Sequence, residues 1–160
     1  MSKNLIVFYS WAGHTRTLAE YISQEVGGTL LSLDPVDEYC SDYDVVVERA
    51  KKELEGNIEV AVKNLPESID EYDTIYVGSP NWWNTAAPPV FTFLNHYDFK
   101  GKTVIPFCAH GSKGCEKVNK DMTDCCSQAT LVKGFGTFGK EMNENTKGDV
   151  VKWLEEQKLK

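Results

Sequence analysis

The chain has 160 residues, of which 41% are hydrophobic and 26% are charged, the composition of a soluble globular protein. We expect one domain over residues 1–160, and no apolar run approaches the ~20 residues that a membrane span requires. The formal net charge of −7 argues against binding to nucleic acid; it either favours partner proteins with basic docking surfaces or only keeps the protein soluble.

The cysteines indicate a reducing environment. There are five of them, an odd number, with Cys125 and Cys126 adjacent and no C-x-x-C pair. We therefore expect no disulfide framework and a cytoplasmic setting, and the segment before the first strand has no signal-peptide pattern. Cys108 lies two residues before His110, but no third group that would orient this histidine is evident, so Cys108 is expected to be an unreactive core residue.

The stretch from Asn4 to Ala19 predicts a buried strand, a short loop and the start of a helix. Residues 5–9 are apolar, residues 10–15 form a short loop that contains hydroxyl groups and a glycine, and helical spacing of apolar residues continues to Val26. Hydroxyl groups and free backbone N–H groups at a helix N-terminus suit a phosphate. A plain strand-to-helix connection is the alternative.

Strands and helices then alternate along the rest of the chain. Further strands are predicted at 29–33, 72–78, 103–108 and 129–132, with helices at 48–54, from Pro88, at 116–128 and at 143–158. Residues 134–139 are expected to form a Gly-rich turn. Their G-x-G-x-x-G spacing matches a dinucleotide fingerprint, but too little chain follows for a βαβ unit. The alternation predicts an α/β fold with a parallel sheet and helices on both faces.

Three polar loops follow predicted strands, at 10–15, 79–85 and 109–114. In parallel sheets ligands bind beyond the carboxyl ends of the strands, so these loops are expected to converge on one ligand. The acidic stretch from Asp34 to Glu48 follows a strand and should lie at the same edge. The acids between Glu67 and Glu71 precede a strand and should lie at the opposite edge.

Together these loops resemble those of the flavodoxin family. The matching residues are Ser10, Gly13 and Thr15 in the phosphate loop, Gly78, Pro80, Trp82 and Trp83 in the second loop, and His110, Gly111 and Ser112 in the third. The resemblance implies a three-layer α/β/α fold with strand order 2-1-3-4-5 and FMN as the cofactor. The chain departs from the family at Ala12, where a hydroxyl is common, at His14, where Asn is usual, and at Asn84, where many flavodoxins have Gly.

The resemblance implies FMN contacts from all three loops. The candidate residues are Ser10, Trp11, Ala12, Gly13, His14, Thr15, Pro80, Asn81, Trp82, Trp83, Asn84, Thr85, Ala109, His110, Gly111, Ser112 and Gly114. Adjacent tryptophans carry so much apolar surface that at least one must cover a flat ligand or join the core. His110 either caps the flavin ring or hydrogen-bonds within its own loop.

Two functions fit this resemblance. The first is a monomeric FMN electron carrier that passes low-potential electrons to redox partner proteins. The alternative is an NAD(P)H-dependent FMN reductase of quinones or similar acceptors. A phosphoacceptor signalling domain shares the alternation but needs acids after the first and third strands, where this chain has Ser10 and Ser79.

Overall fold

The computed structural model describes residues 3–111 and 113–160. Its strands are β1 (Asn4–Phe8), β2 (Thr29–Ser32), β3 (Thr74–Pro80), β4 (Thr103–His110), β5 (Thr130–Leu131) and β6 (Phe135–Phe138). Its helices are α1 (His14–Val26), α2 (Tyr43–Glu55), α3 (Pro88–His96), α4 (Glu116–Asp124) and α5 (Glu144–Glu156), with a short 3-10 turn at Gly139–Glu141.

The strands form one parallel sheet in the order β2-β1-β3-β4-β5, and β6 also pairs with β4. This confirms the predicted fold class and strand order. The chain changes direction across the sheet at β1, which has β2 on one side and β3 on the other. The carboxyl ends of β1 and β3 therefore flank the crevice where such sheets bind ligands.

Alternate residues of the central strands supply the cores on the two faces of the sheet. Leu5 and Val7 pack with α2, α3 and α4, whereas Ile6 and Phe8 pack with α1 and α5. All four side chains are at most 1% exposed. Burial on both faces explains why β1 is a continuous apolar run instead of an alternating one.

The Gly-rich segment was predicted wrongly as a turn. Residues Phe135–Phe138 form β6, which pairs in parallel with the end of β4 from Phe107 to His110. A β-carbon on Gly136 would lie 2.6 Å from the β-carbon of Cys115, so the glycine allows the strand to approach α4. Glycine here reflects close packing and not a reversal of the chain.

Two helix boundaries also differ from the prediction. Helix α2 begins at Tyr43, five residues early, because Asp42 caps it by accepting a hydrogen bond from the Val45 N–H (3.3 Å). Helix α4 ends at Asp124, so Cys125 and Cys126 follow the helix and do not lie within it. Among the described residues, no helix is long and apolar enough to cross a bilayer.

The expectation for the cysteines was wrong at one pair. Cys108 at the end of β4 and Cys115 before α4 are joined by a disulfide, with their Cα atoms 5.8 Å apart. The other three cysteines, Cys40, Cys125 and Cys126, are free. The two bridged residues are separated by a loop, so neither a C-x-x-C spacing nor periodicity could have indicated this pair.

Candidate functional site

The loop after β1 leaves the N-terminus of α1 open. Gly13 precedes the helix with φ 97°, a left-handed conformation that glycine adopts without strain, and no side chain caps the helix. The Ser10 Oγ accepts a hydrogen bond from the Gly13 N–H (3.1 Å), which holds the loop in a tight turn. The first N–H groups of the 13-residue helix α1 therefore have no side-chain cap, an arrangement that suits an anion.

The other residues of this loop point in different directions. The Trp11 Nε1–H donates to the Cys40 carbonyl (2.8 Å), so this indole packs toward the segment before α2. His14 packs against Gly139, where an added β-carbon would lie 2.7 Å from its Nδ1. Ala12 is exposed, and Thr15 is 1% exposed beneath the loop. The loop thus offers a phosphate mainly backbone N–H groups.

The second loop is a tight turn between Trp82 and Thr85. The Trp82 N–H donates to the Thr85 carbonyl (2.9 Å), and the Thr85 N–H donates to the Trp82 carbonyl (3.1 Å). Trp83 (φ 56°) and Asn84 (φ 62°) occupy its centre, both left-handed, as in a type I′ turn. A left-handed tryptophan is strained by about 1–3 kcal/mol, and such strain is concentrated at functional sites.

The two adjacent tryptophans have different environments. The ring of Trp82 meets Tyr9 at 5.6 Å and Tyr39 at 5.0 Å between centroids, both edge-on, so Trp82 joins the core. Trp83 is 50% exposed, and its Nε1–H donates to the Val47 carbonyl (2.9 Å). One tryptophan of the pair is therefore structural, and the other presents a broad apolar surface to solvent.

Hydrogen bonds join the second loop to the third loop and to α4. The Asn81 N–H donates to the Ala109 carbonyl (3.1 Å), and its Nδ2 donates to the Gly114 carbonyl (2.7 Å). The Thr85 hydroxyl donates to the Asp121 carboxylate (2.6 Å). Burial alone would raise the pKa of Asp121, but the hydrogen bonds from Lys117 and Thr85, together with the positive charges of Lys117 and Lys120, hold the pKa below its ordinary value.

The third loop contains an unpaired buried nitrogen. The His110 Nδ1 is buried and has no hydrogen-bond partner among the described residues, while its ring meets Phe138 edge-on at 5.7 Å. Hydrogen bonding of this atom within its own loop, one of the two sequence-based alternatives, is not observed there. Pro80, Ala109 and His110 belong to strands and not to loops, since Pro80 pairs with Ala109 between β3 and β4 and His110 is the last residue of β4, paired with Phe138. Gly111 is exposed, and Ser112 lies outside the described residues.

Beside the first loop, on the β2 side, lies a cavity of about 390 Å³. Sequence reasoning placed the acids from Asp34 at this edge, and Asp34 and Glu38 do line the cavity. It missed Tyr39 and Asn64, because long-range contacts bring them there and no local pattern marks them. The remaining lining residues are Tyr9, Ser10, Trp11, Arg16, Ser32, Leu33 and Pro35.

Charged groups at the two edges of the sheet are distributed as predicted. At the carboxyl edge, Asp34 pairs with Lys63 (3.4 Å). At the opposite edge, Glu71 lies 3.8 Å from Lys3, which precedes β1.

No cluster of three or more His, Cys, Asp or Glu side chains suited to a metal ion occurs in residues 3–111 or 113–160. The site combines an uncapped helix N-terminus with aromatic side chains.

Comparison with solved structures shows the same fold. A protein from Bacteroides eggerthii, provisionally described as a flavoprotein, superposes with a TM-score of 0.86 at 26% identity over 100% of both chains. A flavoprotein from Lactobacillus acidophilus, solved in complex with FMN, superposes with a TM-score of 0.72 at 23% identity, over 96% of this chain and 99% of that one.

Sequence comparison gives a relative and a family. The relative is the NAD(P)H dehydrogenase (quinone) of Chromohalobacter salexigens, 34% identical over 96 residues; the match covers 58% of this chain and 46% of that protein. The chain thus spans about half the length of this curated relative. The sequence profile of the flavodoxin family matches residues 3–157, nearly the whole chain. The chain belongs to the flavodoxin family.

Proposed function

We propose that this protein binds FMN at the three-loop edge and carries electrons between redox partner proteins. The observation that carries the proposal is the uncapped N-terminus of α1 after Gly13, which lies at the same sheet edge as the exposed indole of Trp83. A phosphate fits the first feature and a flat aromatic ring fits the second. Bound FMN would supply the electron chemistry, while the protein binds it and sets its potential.

Each loop has a distinct role in this proposal. The backbone N–H groups of residues 10–15 bind the phosphate, with the Ser10 hydroxyl keeping the loop in shape. Trp83 covers one face of the ring, and the unpaired Nδ1 of His110 is available to a polar ring atom or a bridging water. The proposed contact residues remain those of the three loops: Ser10 to Thr15, Pro80 to Thr85, and Ala109 to Gly114 apart from Lys113.

The charge of the site supports a low potential. Asp34 and Glu38 lie beside the phosphate loop, and like-charge repulsion would disfavour the anionic, fully reduced flavin. The ion pair of Asp34 with Lys63 offsets part of this effect. A redox titration should place the second one-electron couple below that of free FMN; a couple at or above that of free FMN would remove this part of the proposal.

Acidic side chains near the site suit a basic partner surface. Asp37, between β2 and α2, has 89% of its side chain exposed, and Asp44 and Glu48 on α2 are also exposed. Such charges speed association with basic proteins, and the rate falls as salt increases. We also propose that the protein is a monomer. We propose a cytoplasmic setting as well, because three of its cysteines are free.

Titration with FMN tests the proposal. Purified apoprotein should bind one FMN per chain, become yellow and lose part of its tryptophan emission. Trp83→Ala should reduce the quenching, because the proposed stacking partner is removed. A protein that stays colourless in excess FMN, with unchanged emission, would contradict the proposal.

A second candidate is an NAD(P)H-dependent FMN reductase of quinones. The observation in its favour is the name of the Chromohalobacter relative, which matches 58% of this chain. Anaerobic mixing of the FMN-loaded protein with NADPH or NADH separates the two functions. Bleaching of the flavin within seconds, followed by reoxidation on adding a quinone, would favour the reductase. A flavin that stays oxidised for minutes would favour the carrier.

A further inference from the structure

A disulfide bond connects the two cysteines that flank the third loop. Cys108 lies on β4 and is fully buried, and Cys115 is the residue that precedes α4 and is 8% exposed. Their disulfide joins the two ends of the segment that contains His110 and Gly114. The bond therefore limits the conformations of a loop that we propose as part of the FMN site.

The packing around the bridge fits the oxidised pair closely. A β-carbon on Gly136 would lie 2.9 Å from the Cys115 sulfur, so strand β6 is in contact with the bridge. Two separate thiols need more room than a bonded pair, because unbonded sulfur atoms stay about a van der Waals distance apart. Reduction must therefore move Cys115, Cys108 or β6.

Without the bridge the loop keeps only non-covalent anchors. Among the described residues these include the pairing of the end of β4 with β6, the hydrogen bonds from Asn81 to the Ala109 and Gly114 carbonyls, and the bond from the Asn119 N–H to the Cys115 carbonyl (2.9 Å). Each hydrogen bond alone is weak. The dithiol form should therefore keep the fold but sample more loop conformations, and a ligand that needs one of them would bind more weakly.

We propose that Cys108 and Cys115 form a reversible thiol–disulfide couple that controls FMN affinity, with the disulfide form binding FMN more tightly. This rests on the proposed FMN site. Reversibility fits the composition, because disulfides in reducing compartments are mostly transient or redox-sensing.

The reductant is a dithiol of the thioredoxin or dithiothreitol class. One of its thiolates attacks the Cys115 sulfur, the more exposed of the pair, and Cys108 leaves as a thiolate that takes up a proton. The second thiolate of the reductant then displaces Cys115, which is also protonated. Two electrons and two protons have entered the protein, and the reductant has become a disulfide.

Thiol counting tests the couple without FMN. Denatured oxidised protein should react at three cysteines, Cys40, Cys125 and Cys126, and dithiothreitol-treated protein at all five. Five reactive thiols after equilibration with oxidised glutathione would overturn the inference. Far-UV circular dichroism should be the same in both forms.

FMN affinity is then measured in the dark, without oxygen, for the oxidised and the reduced protein. The reduced form should bind FMN about tenfold more weakly, within the usual range of coupling between sites. By reciprocity, saturating FMN should lower the reduction potential of the disulfide by about 30 mV. Equal affinities in the two forms would overturn the inference.

Two variants distinguish the effect of losing the disulfide from the effect of replacing any buried cysteine. Cys115→Ala should bind FMN as weakly as the reduced wild type and should no longer respond to dithiothreitol. Cys126→Ala, which removes a buried but unbridged cysteine, should keep the tenfold response. If neither redox form of the wild type bound FMN, the proposed function would fail together with this inference, whereas equal binding by both forms would overturn the inference alone.

Discussion

The proposed FMN site has two sides, and they are built differently. We call residues 10–15 with the N-terminus of α1 the phosphate side, and residues 80–85 with residues 109–114 the ring side. The phosphate side is a short continuous segment, in which Ser10 and Gly13 set the turn and the following helix supplies the N–H groups. The ring side is assembled from separate elements by Asn81, Thr85 and the disulfide of Cys108. Local sequence is therefore enough to shape the first side, whereas the second depends on the whole fold.

This difference predicts where mutations act. On the phosphate side, a change at Ser10 should alter ligand binding with little effect on folding, because its hydrogen bond to Gly13 is local. Trp11 and His14 in the same loop contact distant segments, so changes there should also affect folding. Changes on the ring side should fall into two groups. Those at residues that stabilise the fold, such as Trp82, should lower stability, and those at residues that face solvent, such as Trp83, should mainly alter ligand binding.

The largest expected effect is on stability, from Trp82→Ala. Its ring packs against Tyr9 and Tyr39, so truncation should lower the free energy of unfolding by about 3 kcal/mol. Trp83→Ala should cost less than about 1 kcal/mol, because half of that residue is exposed. Urea unfolding of the apoproteins measures both, and equal losses would contradict the division of roles.

The next effect is on FMN affinity, from the same residue Trp83. Loss of an aromatic stacking partner is worth about 1–3 kcal/mol, so Trp83→Ala should weaken FMN binding by about fivefold to 150-fold, while Trp83→Phe keeps most of the affinity. Tyr43→Ala is the matched control, since it removes an aromatic that is 68% exposed and not a proposed contact. Flavin fluorescence titration gives the three dissociation constants. A control that loses as much affinity as Trp83→Ala would argue against stacking.

A smaller effect is expected on the phosphate side from Ser10→Ala. The variant loses the acceptor for the Gly13 N–H, a hydrogen bond worth about 1 kcal/mol, so FMN should bind about fivefold more weakly. Riboflavin binding should not change, because riboflavin has no phosphate. Ser23→Ala, in the interior of α1, is the control. If Ser10→Ala weakened FMN and riboflavin equally, the loop would not act through the phosphate.

The smallest effect concerns the tether between Thr85 and Asp121. The pKa of Asp121 is lowered, so its contribution to stability is present above the ordinary carboxyl pKa near 4 and is lost as pH falls through the lowered value. The Thr85–Asp121 hydrogen bond should therefore hold to about pH 4. Thr85→Val removes one hydrogen bond, which should raise the pKa of Asp121 and weaken FMN binding about twofold. NMR titration of the carboxyl group checks the shift, and an unchanged pKa would contradict it.

Much of the fold could be predicted because its signals are local. The apolar runs of β1, β3 and β4 are long and buried on both faces, and Pro88 marks the start of α3. The strand, loop and helix start within residues 4–19 were predictable for the same reason. Where local and tertiary signals disagreed, prediction failed: Gly136 looked like part of a turn, yet close packing against Cys115 requires glycine within a strand.

The ring side shows the limit of sequence reasoning more clearly. Sequence composition indicated that one of two tryptophans must be covered, but only the placement of Tyr9 and Tyr39 shows that it is Trp82. The Cys108–Cys115 bridge depends on how β4 and α4 meet, which no spacing rule encodes. An odd cysteine count was therefore a poor guide to whether a single pair bonds.

The ratio of the affinities for FMN and riboflavin tests most directly whether residues 10–15 hold a phosphate. Two charge-assisted hydrogen bonds of about 1.5 kcal/mol each correspond to a factor of more than about 100. Calorimetric titration of the apoprotein with each flavin at neutral pH measures the ratio. We predict that FMN binds at least about 100-fold more tightly; equal affinities for the two flavins would contradict a phosphate site at the N-terminus of α1.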